Sequence, residues 1–136
     1  MSARGTILVP RPVRRAIVDH ASREKPLECC GFVVGASARA MFVVPMSNVA
    51  RSRVRYRIED KAHIELRRLL RVLRPSMSII GVYHSHPAGD AWPSATDVDE
   101  AFYPDWKYLI VGFKSGRAIL RAFHIRHGRV YPVLLR

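Results

Sequence analysis

A chain of 136 residues, 49% of them hydrophobic and with ordinary glycine and proline usage, is long enough to bury a core and reads as one globular domain over residues 1–136. Its formal net charge of +12 at pH 7 fits an acidic partner, protein or nucleic acid, and equally a solvated basic surface, without choosing among them. Composition also excludes a disulfide framework. The two cysteines are the neighbours Cys29 and Cys30, read as small buried residues of a reducing compartment.

No apolar run has the length of a membrane span, and Met1 to Arg15 lacks the apolar core of a signal peptide. The expectation is a cytoplasmic protein without a membrane partner. The sequence does not speak to oligomeric state.

Thr6 to Val9 reads as a short strand. A helix starting near Pro12 places Val13, Ala16, Ile17 and His20 on one face. Cys30-Gly31-Phe32-Val33-Val34-Gly35-Ala36 is a compact apolar strand, joined by the short Ala36–Arg39 link to a hairpin partner over Ala40–Val44. Arg53 to Ile58 alternates polar and apolar residues strictly and predicts a half-buried strand, with Arg53, Arg55 and Arg57 on its wet face. From Lys61 to Arg74 a helix carries Ala62, Leu66, Leu69, Leu70 and Leu73 on one side and Arg67, Arg71 and Arg74 on the other, and Pro75 stops it.

Ser78 to His84 predicts a strand buried on both faces, followed by a loop over Pro87–Pro93. A short helix is expected from Ser94 to about Tyr103-Pro104. Three strands close the chain, over Lys107–Phe113, Arg117–Phe123 and Arg129–Leu134, the last two separated by a His127-Gly128 turn. Helices alternating with strands, then a run of hairpin strands, predict an α/β (α+β) fold with a mixed central sheet flanked by helices.

On a strand, residues i and i+2 share a face, so His84 and His86 project together and two imidazoles can reach one ion. The same pair can equally be ordinary strand-end histidines. Catalytic zinc takes three protein ligands and keeps a position for water, and Asp97 is the natural third ligand if the loop returns the new helix to the strand end. Ser94-x-x-Asp97 is also close to a capping box. The two roles are compatible. A hydroxyl can accept a backbone N–H while donating its own proton elsewhere, and a carboxylate has two oxygens.

Together, His84-Ser85-His86-Pro87, Ser94 and Asp97 resemble the JAMM motif H-[ST]-H-P-x6-S-x2-D of the MPN+ metallopeptidases, with every fixed position filled. Glu28-Cys29-Cys30-Gly31-Phe32-Val33-Val34-Gly35 resembles that family's upstream glutamate strand, and Pro45-x-x-Asn48 with Tyr56-Arg57-Ile58-Glu59 its following segment. The chain is most similar to the compact, stand-alone prokaryotic type. One departure is that Val111 runs into Gly112-Phe113 where family members often carry a serine.

The resemblance implies the MPN fold, akin to the cytidine-deaminase architecture, and one Zn2+ per chain held by His84, His86 and Asp97. It implies Glu28 as general base and Ser94 as oxyanion donor. The implied reaction is hydrolysis of a peptide or isopeptide bond after the Gly-Gly of a ubiquitin-like sulfur-carrier protein, a deubiquitinase-like chemistry. Arg53, Arg55 and Arg57 are candidates for binding that carrier, expected to be acidic.

Other classes lack their signatures. A zinc deaminase needs P-C-x-x-C after H-x-E, a helical zincin H-E-x-x-H and a serine hydrolase G-x-S-x-G; none occurs. A catalytically silent MPN scaffold or a basic nucleic-acid-binding module is the alternative. Scaffolds of this type usually lack one or more of the motif residues.

Overall fold

A computed structural model describes residues 5–136; Met1–Arg4, the first residues of the segment scanned for a signal peptide, lie outside it. One seven-stranded sheet has the order β1-β7-β6-β5-β4-β2-β3. Its strands are β1 Thr6–Ile7, β2 Cys30–Ala36, β3 Arg39–Met46, β4 Ser78–His86, β5 Lys107–Gly112, β6 Ile119–Arg126 and β7 Arg129–Leu135. The helices are α1 Arg11–Glu24, α2 Asp60–Leu73 and α3 Ala95–Asp99. β1–β7 and β4–β5 pair in parallel and the other neighbours antiparallel, so the sheet is mixed. The edges of the sheet meet. Leu8, just past β1, donates its N–H to Ala38 O at 2.7 Å and accepts from Ala40 N at 2.9 Å, which curls the sheet towards closure.

Both faces of the sheet are packed. Val13, Ile17 and Ala21 of α1 join Val33, Tyr83, Leu109 and Val111 in one cluster. Leu70 of α2 joins Phe32, Val34, Val82, Ile110 and Phe123 in the other. β5 assigns its residues strictly by parity, with Leu109 and Val111 to the first cluster and Tyr108 and Ile110 to the second. In β4 the parity breaks once. Val33 pairs with Gly81 and Val34 with Ile79, so Ile80 is an extra residue that bulges towards the first cluster. Beyond that bulge Val82, His84 and His86 share the face of the second cluster.

Several expectations need correction. Ala16 is exposed and Ala21 takes its place in the core, with Pro12 sitting early in α1 where its missing N–H costs nothing. Leu69 and Leu73 of α2 are largely exposed, at 47% and 63%, because the helix lies shallowly over the sheet and buries only its Leu70 side fully. The helix after Ser94 ends at Asp99 rather than near Tyr103. Arg53–Ile58 is not a strand. The end of β4 that it crosses has no free ladder to offer it, since β4 is already paired with β2 and β5. The segment runs instead as an extended strap over the end of β4. Tyr56 and Ile58 remain packed against the second cluster, so the alternation survives without a ladder.

Candidate metal centre

β4 and β5 are parallel neighbours, so the chain leaving His86 must cross back before entering Lys107, and that crossover carries α3 over the carboxyl end of β4. Crevices at the carboxyl ends of parallel strands are where open α/β sheets bind ligands. The crossover is tied down by Gly89, whose carbonyl accepts from Phe113 N at 2.9 Å and Lys114 N at 3.1 Å. A Cβ on Gly112 would lie 2.4 Å from Ala91 N, so a glycine here is what admits the loop against the end of β5.

α3 starts with a complete capping box. Ser94 Oγ accepts from Asp97 N at 3.1 Å, and Asp97 Oδ2 accepts from Ser94 N at 2.9 Å. That reciprocal pair fixes the Asp97 carboxylate, which points at the histidines. His84 Nε2 and His86 Nε2 each lie 3.1 Å from Asp97 Oδ2 and 3.1 Å from one another. His84 and Asp97 are buried, and His86 lies closer to the surface.

This triangle is better explained by a cation than by hydrogen bonds. His86 Nδ1 lies 2.7 Å from Asp90 O, and a carbonyl only accepts, so Nδ1 carries the proton and a neutral ring presents a lone pair at Nε2. That lone pair faces a carboxylate oxygen and a second imidazole nitrogen. A tetrahedral ion with bonds of about 2.0–2.1 Å has ligand–ligand edges of about 3.3–3.4 Å, close to the observed triangle. Two imidazoles and one carboxylate also form a donor set of the catalytic zinc type, with the Asp90 carbonyl orienting the His86 ring from behind. The residues fit zinc.

Burial alone would raise the Asp97 carboxyl, but the imidazoles of His84 and His86 facing it hold it well below the usual carboxylate range. Burial lowers His84. Burial would lower His86 as well, yet the neighbouring Asp97 carboxylate and the Asp90 carbonyl raise it.

Glu28 stands across from this triangle. Cys30 pairs with His84 in the β2–β4 ladder, and Ser85 N donates to Cys29 O at 3.2 Å, so continuing the register sets Glu28 against His86 on the same face. Glu28 is 3% exposed and its Oε1 has no hydrogen-bond partner among the described residues. Burial pushes its carboxyl up to about 8, partly opposed by His86 and reinforced by Asp97. A buried carboxyl with an unsatisfied oxygen beside a metal-type donor set is suited to taking up a proton near neutrality.

Three further residues hold the site, and sequence reasoning did not single out their contacts. Ser85, fully buried, accepts the Cys29 N–H on its Oγ at 2.8 Å and so joins the histidine strand to the glutamate strand. Tyr56 stacks on His84, with ring centroids 4.4 Å apart and 26° between the planes. Asn48 uses its full bonding capacity. It donates to Glu28 O and Arg55 O and accepts from Ala50 N and Arg57 N, each at 3.0 Å, fastening the strap to the glutamate. The signals were the S/T position inside H-[ST]-H-P and the Pro45-x-x-Asn48 spacing, which name residues but not partners.

The strap divides the surface around the site. On one side a cleft of about 440 Å³ is lined by Tyr56, Arg57, His63, Tyr103 and Trp106 among others. On the other, a cleft of about 330 Å³ is lined by Glu28, His86 and Ser94 together with Arg53. The arginines therefore divide. Arg53 lines the smaller cleft, while Arg55 and Arg57 line the aromatic one, where Arg55 reaches Glu100 at 3.7 Å in an exposed pair that contributes little.

Comparison with known proteins agrees with this geometry. The family model described as prokaryotic homologs of the JAB domain matches residues 10–125. The CysO-cysteine peptidase of Mycobacterium tuberculosis is 36% identical over 118 residues, covering 85% of this chain and 80% of that one. A desampylase of Haloferax volcanii is 36% identical over 104 residues, covering 71% and 73%. A solution structure of a Desulfitobacterium hafniense protein superposes with a TM-score of 0.86 at 24% identity, covering 96% of this chain and 92% of that one. A JAB1/MPN domain protein from Archaeoglobus fulgidus superposes with a TM-score of 0.60 at 15% identity, covering 99% of each chain, and shares the fold.

Proposed function

Because the chain belongs to the family of prokaryotic homologs of the JAB domain, we propose that it is a zinc-dependent hydrolase of ubiquitin-like proteins, acting as a single domain. The bond cut is the peptide or isopeptide bond after the terminal Gly-Gly of a sulfur-carrier protein. The carrying observation is the convergence of His84 Nε2, His86 Nε2 and Asp97 Oδ2 at 3.1 Å, with the unpaired carboxyl of Glu28 across from them. Relatives named as a peptidase of a CysO conjugate and as a desampylase support the substrate class.

His84, His86 and Asp97 would hold the zinc. When bound, the ion supplies Lewis acidity, lowering the pKa of water towards about 7 and polarising the scissile carbonyl. Glu28 takes the proton of the attacking water on its free oxygen and returns it to the leaving nitrogen. Ser94 is committed as an acceptor to Asp97 N, which leaves its O–H to donate to the oxygen of the carbonyl as negative charge develops there. Tyr56, flat against His84, keeps water from one side of that ring.

The aromatic cleft beside Tyr56 suits the extended tail of the carrier. Arg57 at its wall, and the net charge of +12, fit an acidic carrier body. Among the described residues no helix is long and apolar enough to cross a membrane. Both cysteines are free thiols, as the cytoplasmic setting we propose would keep them. The test uses a carrier extended beyond its Gly-Gly, incubated with wild type and with Glu28→Gln. Wild type releases the extension and E28Q does not; equal release by both contradicts the assignment. Retention on DNA with no carrier cleavage would favour the nucleic-acid-binding alternative.

A further inference from the structure

We propose that Arg53 reads a free α-carboxylate on the group that leaves, so that the chain preferentially removes a single carboxy-terminal amino acid from its carrier. The inference rests on the hydrolase reading and deepens it. In the hydrolysis the C–N bond breaks, water gives its OH to the carbonyl carbon, and its remaining proton ends on the leaving nitrogen. Glu28 handles that proton, so the leaving nitrogen must lie on the side of the site where Glu28 is accessible.

Glu28 lines the smaller cleft and not the aromatic one. The smaller cleft is therefore the leaving-group side, and at about 330 Å³ it is at the small end of ligand pockets. That volume accommodates a single residue next to the site. Its walls at Val54, Pro87, Ala88 and Gly89 carry no charge. Its charged or titratable members are Glu28, His86 and Arg53. The Arg53 guanidinium makes no ion pair or hydrogen bond among the described residues, unlike that of Arg55, which has Glu100.

A substrate carboxylate entering this cleft meets walls that are otherwise uncharged and needs a cation to be held there. Arg53 is placed to supply it with a forked donor that matches a carboxylate. A leaving lysine side chain of a protein brings no carboxylate to this depth and gains nothing from Arg53.

The test compares two substrates, a β-grasp carrier extended past its Gly-Gly by one alanine bearing either a free α-carboxylate or a carboxamide. In wild type the acid is cleaved with about ten-fold higher kcat/KM than the amide, the scale of one charge-assisted contact at a part-exposed site. Arg53→Gln brings the ratio near one, and Arg53→Lys leaves it in between. In Glu28→Gln, which does not cleave, the acid binds about ten-fold tighter than the amide, and adding Arg53→Gln removes the difference. A wild-type ratio near one, or a ratio that survives Arg53→Gln, overturns the proposal. Failure to cleave either substrate would instead defeat the hydrolase reading, and the binding ratio would still decide the role of Arg53.

Discussion

Ser94 performs two separable jobs, and substitution can pull them apart. Its Oγ accepts the Asp97 N–H at 3.1 Å as the cap of α3, and its O–H is free to donate into the site. Ser94→Ala removes both. Loss of an N-cap acceptor costs about 1 kcal/mol, which lowers Tm by about 4 °C in a domain of this size. Loss of an oxyanion donor costs about 3 kcal/mol and lowers kcat by about 10²–10³-fold. Ser94→Gly separates the terms, because glycine is a tolerable N-cap and costs only a few tenths of a kcal/mol. The expected pattern is a Tm shift confined largely to the alanine variant and a similar fall in kcat in both. Thermal unfolding and carrier cleavage are measured on protein whose zinc content is checked in parallel. If Ser94→Gly keeps wild-type kcat, or if both variants lose activity only in proportion to lost zinc, the oxyanion role is wrong and Ser94 is a cap alone.

Ser85→Ala leaves the buried Cys29 N–H without its acceptor at 2.8 Å, and an unsatisfied buried donor costs about 1–3 kcal/mol, read as a fall of several degrees in Tm. Gly112→Ala places a Cβ 2.4 Å from Ala91 N, so the crossover loop must move, and kcat should fall further than Tm indicates. Metal-free protein should show a pH signature of Glu28. Its carboxyl is raised by burial to about 8 from 4.5, so between those values the folded state holds a proton that the unfolded state has released. Stability relative to Glu28→Gln is therefore full below about pH 4.5 and is lost as pH rises towards 8, as paired denaturant titrations would show. An unchanged difference across that range would mean that Glu28 is not buried as described.

Much of the site was legible because strand parity and short spacings are local. His84 and His86 share a face by period two, and Ser94 and Asp97 meet within one helical turn. Glu28 was legible only through the resemblance, since the antiparallel register that sets it opposite His86 joins segments more than fifty residues apart. The strand expected over Arg53–Ile58 failed because alternation describes a half-buried extended segment and does not supply an edge to pair with. Asn48 takes the place of a ladder there, with a single side chain satisfying four backbone groups. The length of α3 was overestimated because its capping box marks a start strongly, while its end at Glu100 carries neither glycine nor proline as a stop signal. The division of the arginines between two clefts follows from the strap lying across the site, which no pattern along the chain encodes.

The central claim is that His84, His86 and Asp97 hold a catalytic zinc beside Glu28. Elemental analysis of protein purified without added metal tests it most directly, run alongside carrier cleavage. Wild type should carry one zinc per chain and lose activity on chelation; His84→Ala and Asp97→Ala should carry none; Glu28→Gln should keep the zinc and lose the activity. A wild-type protein that is active and free of metal, or zinc that remains in both ligand variants, would contradict the account.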